Sequence, residues 1–195
     1  MVALAGQMWR ASILDINLYE EVERDTTQTR AALTVAAIAS SVVGLSVLAA
    51  MTLNRSGSMA PPVLLVAFAG GVAAAMVGLA VWTACIYWVG VLLFHATATW
   101  GEVVRTVGFA FAPGVLNVFG FVPVFGDIVS VVVPAWMVVA SVIAVRQSLD
   151  VNTIQAIVTS LIGGVLAGVL VVLMSVSLAL PLTIAVATLV NALTR

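Results

Sequence analysis

Charged residues are scarce in this sequence: 8% of its 195 residues are Asp, Glu, Lys or Arg, whereas 63% are hydrophobic. Soluble proteins carry charge on roughly a quarter of their residues. The mean hydropathy of +1.24 is likewise far above that of a typical soluble protein. The composition therefore excludes an ordinary soluble domain and predicts an integral protein of the cell membrane, with the lipid bilayer as its surroundings.

Several missing residue types exclude classes of function. Lysine is absent, all seven basic residues are arginine and the net charge is −1, so there is no basic patch for nucleic acid. Cys85 is the only cysteine, which excludes an intrachain disulfide and predicts a small buried side chain. Serine, histidine and aspartate show no recognisable catalytic order, and no glycine-rich phosphate loop occurs. We therefore expect a non-enzymatic protein that needs no metal or other cofactor.

Long uncharged runs predict an all-α membrane protein with five transmembrane helices, because about 20 apolar residues carry a helix across the hydrocarbon core. Pro113 should kink or unwind the third span, and Asn152 with Gln155 resembles a capping box at the start of the fifth. After Pro181 a short apolar tail either continues the last helix or folds onto the surface. The predicted spans within this domain, residues 31–195, are residues 31–53, 63–95, 103–122, 128–146 and 153–180.

Residues 1–30 precede the first span and are predicted to be a cytoplasmic amphipathic and acidic segment. Their first part suits a helix that lies along the membrane interface, with Leu4, Met8, Trp9, Ile13 and Ile16 near one face. The second part, YEEVERD at residues 19–25, holds four of the eight carboxylates of the chain. This cluster is either a solvated helix start, with Glu20 and Arg24 paired four residues apart, or a site for a divalent cation or partner.

The arginines predict the orientation. With the N-terminus in the cytoplasm and the C-terminus outside, five of the seven arginines are cytoplasmic and two, Arg55 and Arg195, are exterior. This topology gathers a candidate charge network on the cytoplasmic face. We expect Glu102 to serve Arg105, and either Glu20 or Glu23 to bond Arg146 and so clamp the N-terminal segment under the bundle. The network comprises Glu20, Glu23, Arg24, Arg105, Arg146 and Asp150.

Small residues at helical spacing mark two candidate packing faces. Gly164 and Gly168 form a GxxxG pair, and Gly71, Ala75 and Gly78 lie on nearly one face of the second span. Such faces let helices approach closely in lipid. They predict either internal packing or contact with a second copy of the chain or another membrane protein.

The order of these features resembles the Yip family, multi-span membrane proteins named for interaction with Ypt and Rab GTPases, and specifically its bacterial branch. The similarity covers residues 18 to about 165. The matching pieces are LYEEVERD with TRAA, TWGEVVRTVGFAFAPGVL, VPVFGD and PAWMVVASVIAVRQSLDVNTIQA. Eukaryotic members carry an Asp-Leu-Tyr-Gly-Pro motif where this chain has DINLYEE, and a Gly-Tyr where it has Gly108 and Phe109, which makes GTPase binding doubtful.

The resemblance implies five helices, no recognised catalytic site and a role in membrane organisation or trafficking. We therefore expect a protein that organises the bilayer or recruits a partner through its cytoplasmic face. The sequence alone leaves two other classes open. Proline-broken spans could line the cavity of a channel or small-solute transporter. The chain could also be an accessory subunit of a larger membrane complex.

The predicted topology can be tested with reporter fusions. Reporters placed after Asn54 and after Arg195 should report the exterior, and those after Arg105 and Asp150 the cytoplasm. A cytoplasmic C-terminus would contradict the five-span topology and would mean that Pro181 starts a sixth crossing.

Overall fold

The computed structural model describes residues 2–53, 61–122 and 124–193. Every regular element in these ranges is a helix, which confirms the predicted all-α class. Two 3-10 helices accompany the α-helices, at Thr26–Gln28 and at Ala112–Phe119, and the second is called the 3-10 segment below. The α-helices are α1 Val2–Ser12, α2 Ile16–Arg24, α3 Thr29–Leu53, α4 Pro61–Phe94, α5 Trp100–Ala110, α6 Phe125–Ser148 and α7 Thr153–Leu193.

Five helical stretches of the described chain are long and apolar enough to cross a membrane, as predicted. They are Thr26–Ala49, Leu64–Phe94, Trp100–Phe119, Phe125–Ser148 and Thr153–Met174. The last helix continues past Pro181 to Leu193, so the apolar tail prolongs α7 instead of leaving it. The predicted capping box is present at its start. The backbone N–H of Asn152 donates to the side-chain oxygen of Gln155 at 3.1 Å, and the backbone N–H of Gln155 donates to the side-chain oxygen of Asn152 at 2.9 Å.

The third span is the central one, and it changes helix type halfway. α5 ends at Ala110 and the 3-10 segment carries the chain onward, with Pro113 in its first turn. Proline lacks a backbone N–H and cannot continue an α-helical ladder, so the predicted local unwinding is observed. α5 packs against α2, α3, α4 and α6. Most of its residues are accordingly buried, with Val103, Val107 and Phe109 fully so.

The N-terminal segment forms two helices rather than one. The break lies at Leu14, whose φ of 63° is left-handed, and at Asp15, whose side chain accepts from the N–H of Asn17 and caps α2. α2 buries Leu18 and Val22 against the bundle and contacts both α5 and α6. The segment therefore folds back under the bundle as predicted, but α2 is part of the core, whereas α1 exposes the large apolar side chain of Trp9 on its outer side.

Two glycines outside the predicted set lie where the backbones of two transmembrane helices come close together. A Cβ on Gly108 of α5 would lie 2.9 Å from the Cβ and 3.0 Å from the carbonyl oxygen of Ala32 in α3. A Cβ on Gly163 of α7 would lie 3.2 Å from the backbone nitrogen of Ile86 in α4. Glycine is thus required where these backbones meet, because any side chain would force them apart.

The predicted packing glycines occupy other positions. A Cβ on Gly71, Gly78 or Gly168 would meet no atom within 4 Å, and one on Gly164 would meet only the indole nitrogen of Trp82, at 3.9 Å. The interpretation of the GxxxG pair as an internal packing face is therefore wrong. The glycine of α7 that packs against α4 is Gly163, the residue just before the pair. Gly71 and Ala75 instead line a cavity of about 280 Å³ between α3, α4 and the 3-10 segment. Contact with a second copy stays a prediction.

Alanine substitutions test this assignment. Gly108→Ala and Gly163→Ala should each lower the free energy of unfolding by about 1 to 3 kcal/mol, because the added methyl group overpacks a backbone contact. Gly168→Ala, on the same helix as Gly163, should be neutral or slightly stabilising, because its methyl group enters open space. Thermal unfolding in detergent measures all three, and equal effects at Gly163 and Gly168 would contradict the assignment.

Candidate functional site

The charged end of the bundle is organised around Arg105, a buried residue that is 5% exposed. Its Nε donates to the carbonyl oxygens of Val22, at 2.9 Å, and Glu23, at 3.2 Å, and its Nη2 donates to the Glu23 carbonyl as well. Both carbonyls belong to the last turn of α2, where no intrahelical N–H can reach them. Arg105 therefore caps α2, and its charge also complements the negative end of that helix.

Glu102 does not serve Arg105, contrary to the prediction. Its carboxylate accepts from the backbone N–H of Thr99 at 2.6 Å, while its own N–H donates to the Thr99 hydroxyl at 3.4 Å. This is a capping box at the start of α5. The Thr-Trp-Gly-Glu spacing is the signal that could have revealed it from sequence.

The predicted link between α2 and α6 is made by Gln147, the neighbour of Arg146. Gln147 Nε2 donates to Glu20 Oε1 at 3.0 Å, and Glu20 also lies 3.8 Å from Arg24, in the predicted pair four residues apart. Arg146 is exposed and takes part in none of the ion pairs found in the described residues. One step along a helix turns a side chain by about 100°, which explains why residue 147 meets α2 and residue 146 does not.

Arg10 joins α1 to α2, a role that the sequence analysis missed. Its Nε donates to Asp15 at 2.7 Å, and its two terminal nitrogens donate to the carboxylate of Glu21 at 2.7 and 2.9 Å. Hydrogen bonds from this guanidinium lower the pKa of both Asp15 and Glu21 below their ordinary values. The bidentate geometry is one that only arginine provides, and it sets the angle between the two helices.

Glu23 is the partly buried carboxylate of this end of the molecule. Desolvation is the main cause that raises its pKa to about 6, and the nearby carboxylates of Asp150 and Glu102 raise it further. Asp150 lies in the turn between α6 and α7 with a φ of 50°. The structure thus brings Glu20, Glu23, Arg105 and Asp150 of the predicted network to one end of the bundle, through backbone and amide bonds more than through ion pairs.

The outer side of this assembly is an acidic surface. We call it the acidic face and define it by Glu20, Glu21, Glu23 and Asp25. Asp25 accepts hydrogen bonds from Thr27 and Gln28, which lower its pKa and occupy both of its carboxylate oxygens. No group of three His, Cys, Asp or Glu side chains arranged for a metal ion occurs in the described ranges.

Comparison with known proteins gives one family. The family model described as "Yip1 domain" matches residues 18–193, from the first turn of α2 to the end of α7. No curated protein and no solved structure matches the chain. The match covers the third span with Arg105 and the helix that Arg105 caps, whereas α1 precedes it.

Replacing Arg105 tests its capping role. Arg105→Met should lower the free energy of unfolding by about 2 to 4 kcal/mol, because two buried carbonyl groups lose a charged donor. Arg146→Gln is the matched control, an exposed arginine at the same end of the bundle, and should change stability by about 0.5 kcal/mol or less. Chemical denaturation in mixed micelles measures both, and similar losses would refute a special role for Arg105.

The raised pKa of Glu23 predicts that the stability of the protein depends on pH. Because its pKa rises from 4.5 to about 6 on folding, the folded state binds more protons than the unfolded state in this range. The free energy of unfolding should therefore fall as the pH rises through that window, by about 0.5 kcal/mol once solvent screening is allowed for. Glu23→Gln should remove this fall, while Glu21→Gln should leave it in place. An unchanged pH profile in Glu23→Gln would contradict the assignment.

Proposed function

The chain belongs to the Yip1 domain family, and we propose that it is a non-enzymatic membrane protein that recruits a partner through the acidic face. In this proposal the helical bundle fixes the protein in its membrane, and α2 presents carboxylates to the cytoplasm. The partner is a positively charged segment of another protein, because opposite charge guides encounter and selects against wrong partners.

The observation that carries the proposal is the attachment of α2 to the bundle. Leu18, Tyr19 and Val22 bury its inner side, and Arg105 holds its last carbonyls. The outer side keeps its carboxylates near solvent, with the Glu21 side chain 58% exposed. A surface on a fixed helix loses little conformational freedom on binding, so its contacts contribute more fully to affinity.

A transporter is the second candidate, because the 3-10 segment borders two cavities of about 280 and 160 Å³. The backbone there already has partners: the Asn117 carbonyl accepts from the Ser46 hydroxyl, and the Gly114 carbonyl accepts from the Asn117 amide at 2.8 Å. Groups that bond each other are less available to a passing solute. This arrangement supports a structural role for the unwound stretch.

Site-specific photo-cross-linking in native membranes tests recruitment. A photoreactive residue at position 24, on the outer side of α2, should give a discrete protein adduct. The same residue at position 172, on an exposed part of α7, should not. Raising the salt from about 0.1 to 1 M should reduce the adduct, because salt screens exposed charges.

Charge removal provides the matched comparison. Glu20→Gln combined with Glu21→Gln should abolish the adduct formed from position 24, whereas Asp127→Asn at the start of α6 should preserve it. Adducts that resist salt and the double substitution would refute the acidic face as the docking surface. Solute movement through liposomes that contain the purified protein alone would favour the transporter.

A further inference from the structure

The helix α1 lies beside the third span and turns an apolar side outward. It packs against α5 and against the 3-10 segment that follows α5, so it lies alongside a part of the chain that crosses the membrane. Trp9 is 68% exposed, Ile13 54% and Ile16 42%, and Ala5 is exposed as well. Each of these residues lies three or four positions from the next, as on one side of a helix. We call them the outer stripe.

The inner side of α1 is apolar too. The sequence analysis placed Leu4 and Met8 on the same face as Trp9, but the structure separates them. Leu4 and Met8 pack against the buried core, and Ala11 is completely buried. The helix therefore has apolar side chains on two opposite sides, one toward the bundle and one away from it. A helix that is apolar all round is typical of surroundings made of protein and lipid rather than water.

Each polar side chain of α1 has a partner within the protein. Gln7 Nε2 donates to Gln28 Oε1 at 3.1 Å, at the start of the first span. The Ser12 hydroxyl donates to the Met8 carbonyl at 2.9 Å. Arg10 is held by the two carboxylates described above. A helix in water has no need to satisfy its polar groups in this way, whereas a helix in lipid does.

The end of α1 is closed in the same manner. The carbonyls of Trp9, Arg10 and Ala11 accept from backbone N–H groups three to five residues later, at 3.0, 3.0 and 3.1 Å. The Tyr19 hydroxyl also donates to the Ala11 carbonyl, at 3.4 Å. Carbonyls in the last turn of a helix have no intrahelical partner and are commonly left to water. Here they are satisfied by the protein itself, which removes the main cost of placing a helix end in lipid.

The membrane boundary lies at this end of the bundle. Tyr87 forms edge-to-face contacts with Trp88 and Trp100, and such aromatic residues are enriched at membrane interfaces. Trp100 begins α5, five residues before the Arg105 that holds α2. The outer side of α2 carries the acidic face and therefore needs water, whereas the outer stripe contains no charged or polar side chain. The surface thus changes from charged to apolar between α2 and α1.

We propose that the outer stripe is embedded in the adjoining leaflet of the bilayer, with lipid as its binding partner. Lipid is favoured over a protein partner because α1 lies beside a membrane span, so the stripe continues the lipid-facing surface of the bundle. The bonds from Arg10 to Glu21 then join the lipid-bound helix to α2. They hold the acidic face close to the membrane surface. The family match begins at residue 18, so α1 lies outside it.

Spin labels on single cysteines test the location of the outer stripe. Cys85 is the only cysteine, so Trp9→Cys or Ile13→Cys is added to a Cys85→Ala background. The full chain is labelled with a nitroxide and reconstituted in phosphatidylcholine vesicles. Collisions with oxygen, which dissolves in lipid, are compared with collisions with a water-soluble nickel chelate. Both labels should lie about 5 to 10 Å inside the headgroup boundary. Arg24→Cys on α2 should report water, and Val165→Cys, exposed on α7, should report a greater depth.

Two results would overturn the proposal. Nickel collisions at positions 9 and 13 as frequent as those at position 24 would place α1 in water. Protection of both positions from oxygen and from nickel would mean that protein covers the outer stripe, which in this purified system is a second copy of the chain.

A test without cysteines decides the matter if the Cys85→Ala background does not fold. Tryptophan emission is compared between the wild type and Trp9→Phe, in vesicles of phosphatidylcholine with or without bromine atoms near the headgroup end of its acyl chains. Bromine quenches tryptophan only at close range, so the emission that Trp9→Phe loses should be emission that the brominated lipid quenches. Trp9 emission that resists the brominated lipid would overturn the proposal.

Discussion

The hydrogen bonds from Arg105 to the end of α2 are the constraint on which this structure depends. A guanidinium inside an apolar span needs several acceptors, and the end of a helix has carbonyl groups that need donors. The Val22 and Glu23 carbonyls accept hydrogen bonds from Arg105 directly, so neither the guanidinium nor these carbonyls are buried without a partner. The N-terminal segment is consequently part of the bundle, and the third span, which carries Arg105, is its centre.

This attachment separates the functions of the two sides of α2. Its inner side completes the core beneath α5 and α6, so the outer carboxylates sit on a helix with a fixed position. The Arg10 bonds then fix α1 against α2.

The sequence predicted the membrane architecture because hydropathy and helix length act over about 20 residues at a time. It also revealed the Asn152 and Gln155 capping box, which is local. It failed to predict contacts that depend on which face of a helix turns toward its neighbour. The partner of Arg105 is backbone, which has no sequence signature, and Glu102 was already engaged by Thr99. Gly163 was missed because GxxxG spacing does not say which face of α7 turns toward α4.

Hydrogen–deuterium exchange of the reconstituted protein tests the central claim most directly. In Arg105→Met, the amides of α2, Ile16–Arg24, should exchange at least about tenfold faster than in the wild type, because local opening of this helix becomes easier. Exchange in α4 and α7 should change little, since their mutual contact does not involve Arg105. Unchanged exchange in α2, or an equal increase in every helix, would contradict the claim that Arg105 holds this helix in place.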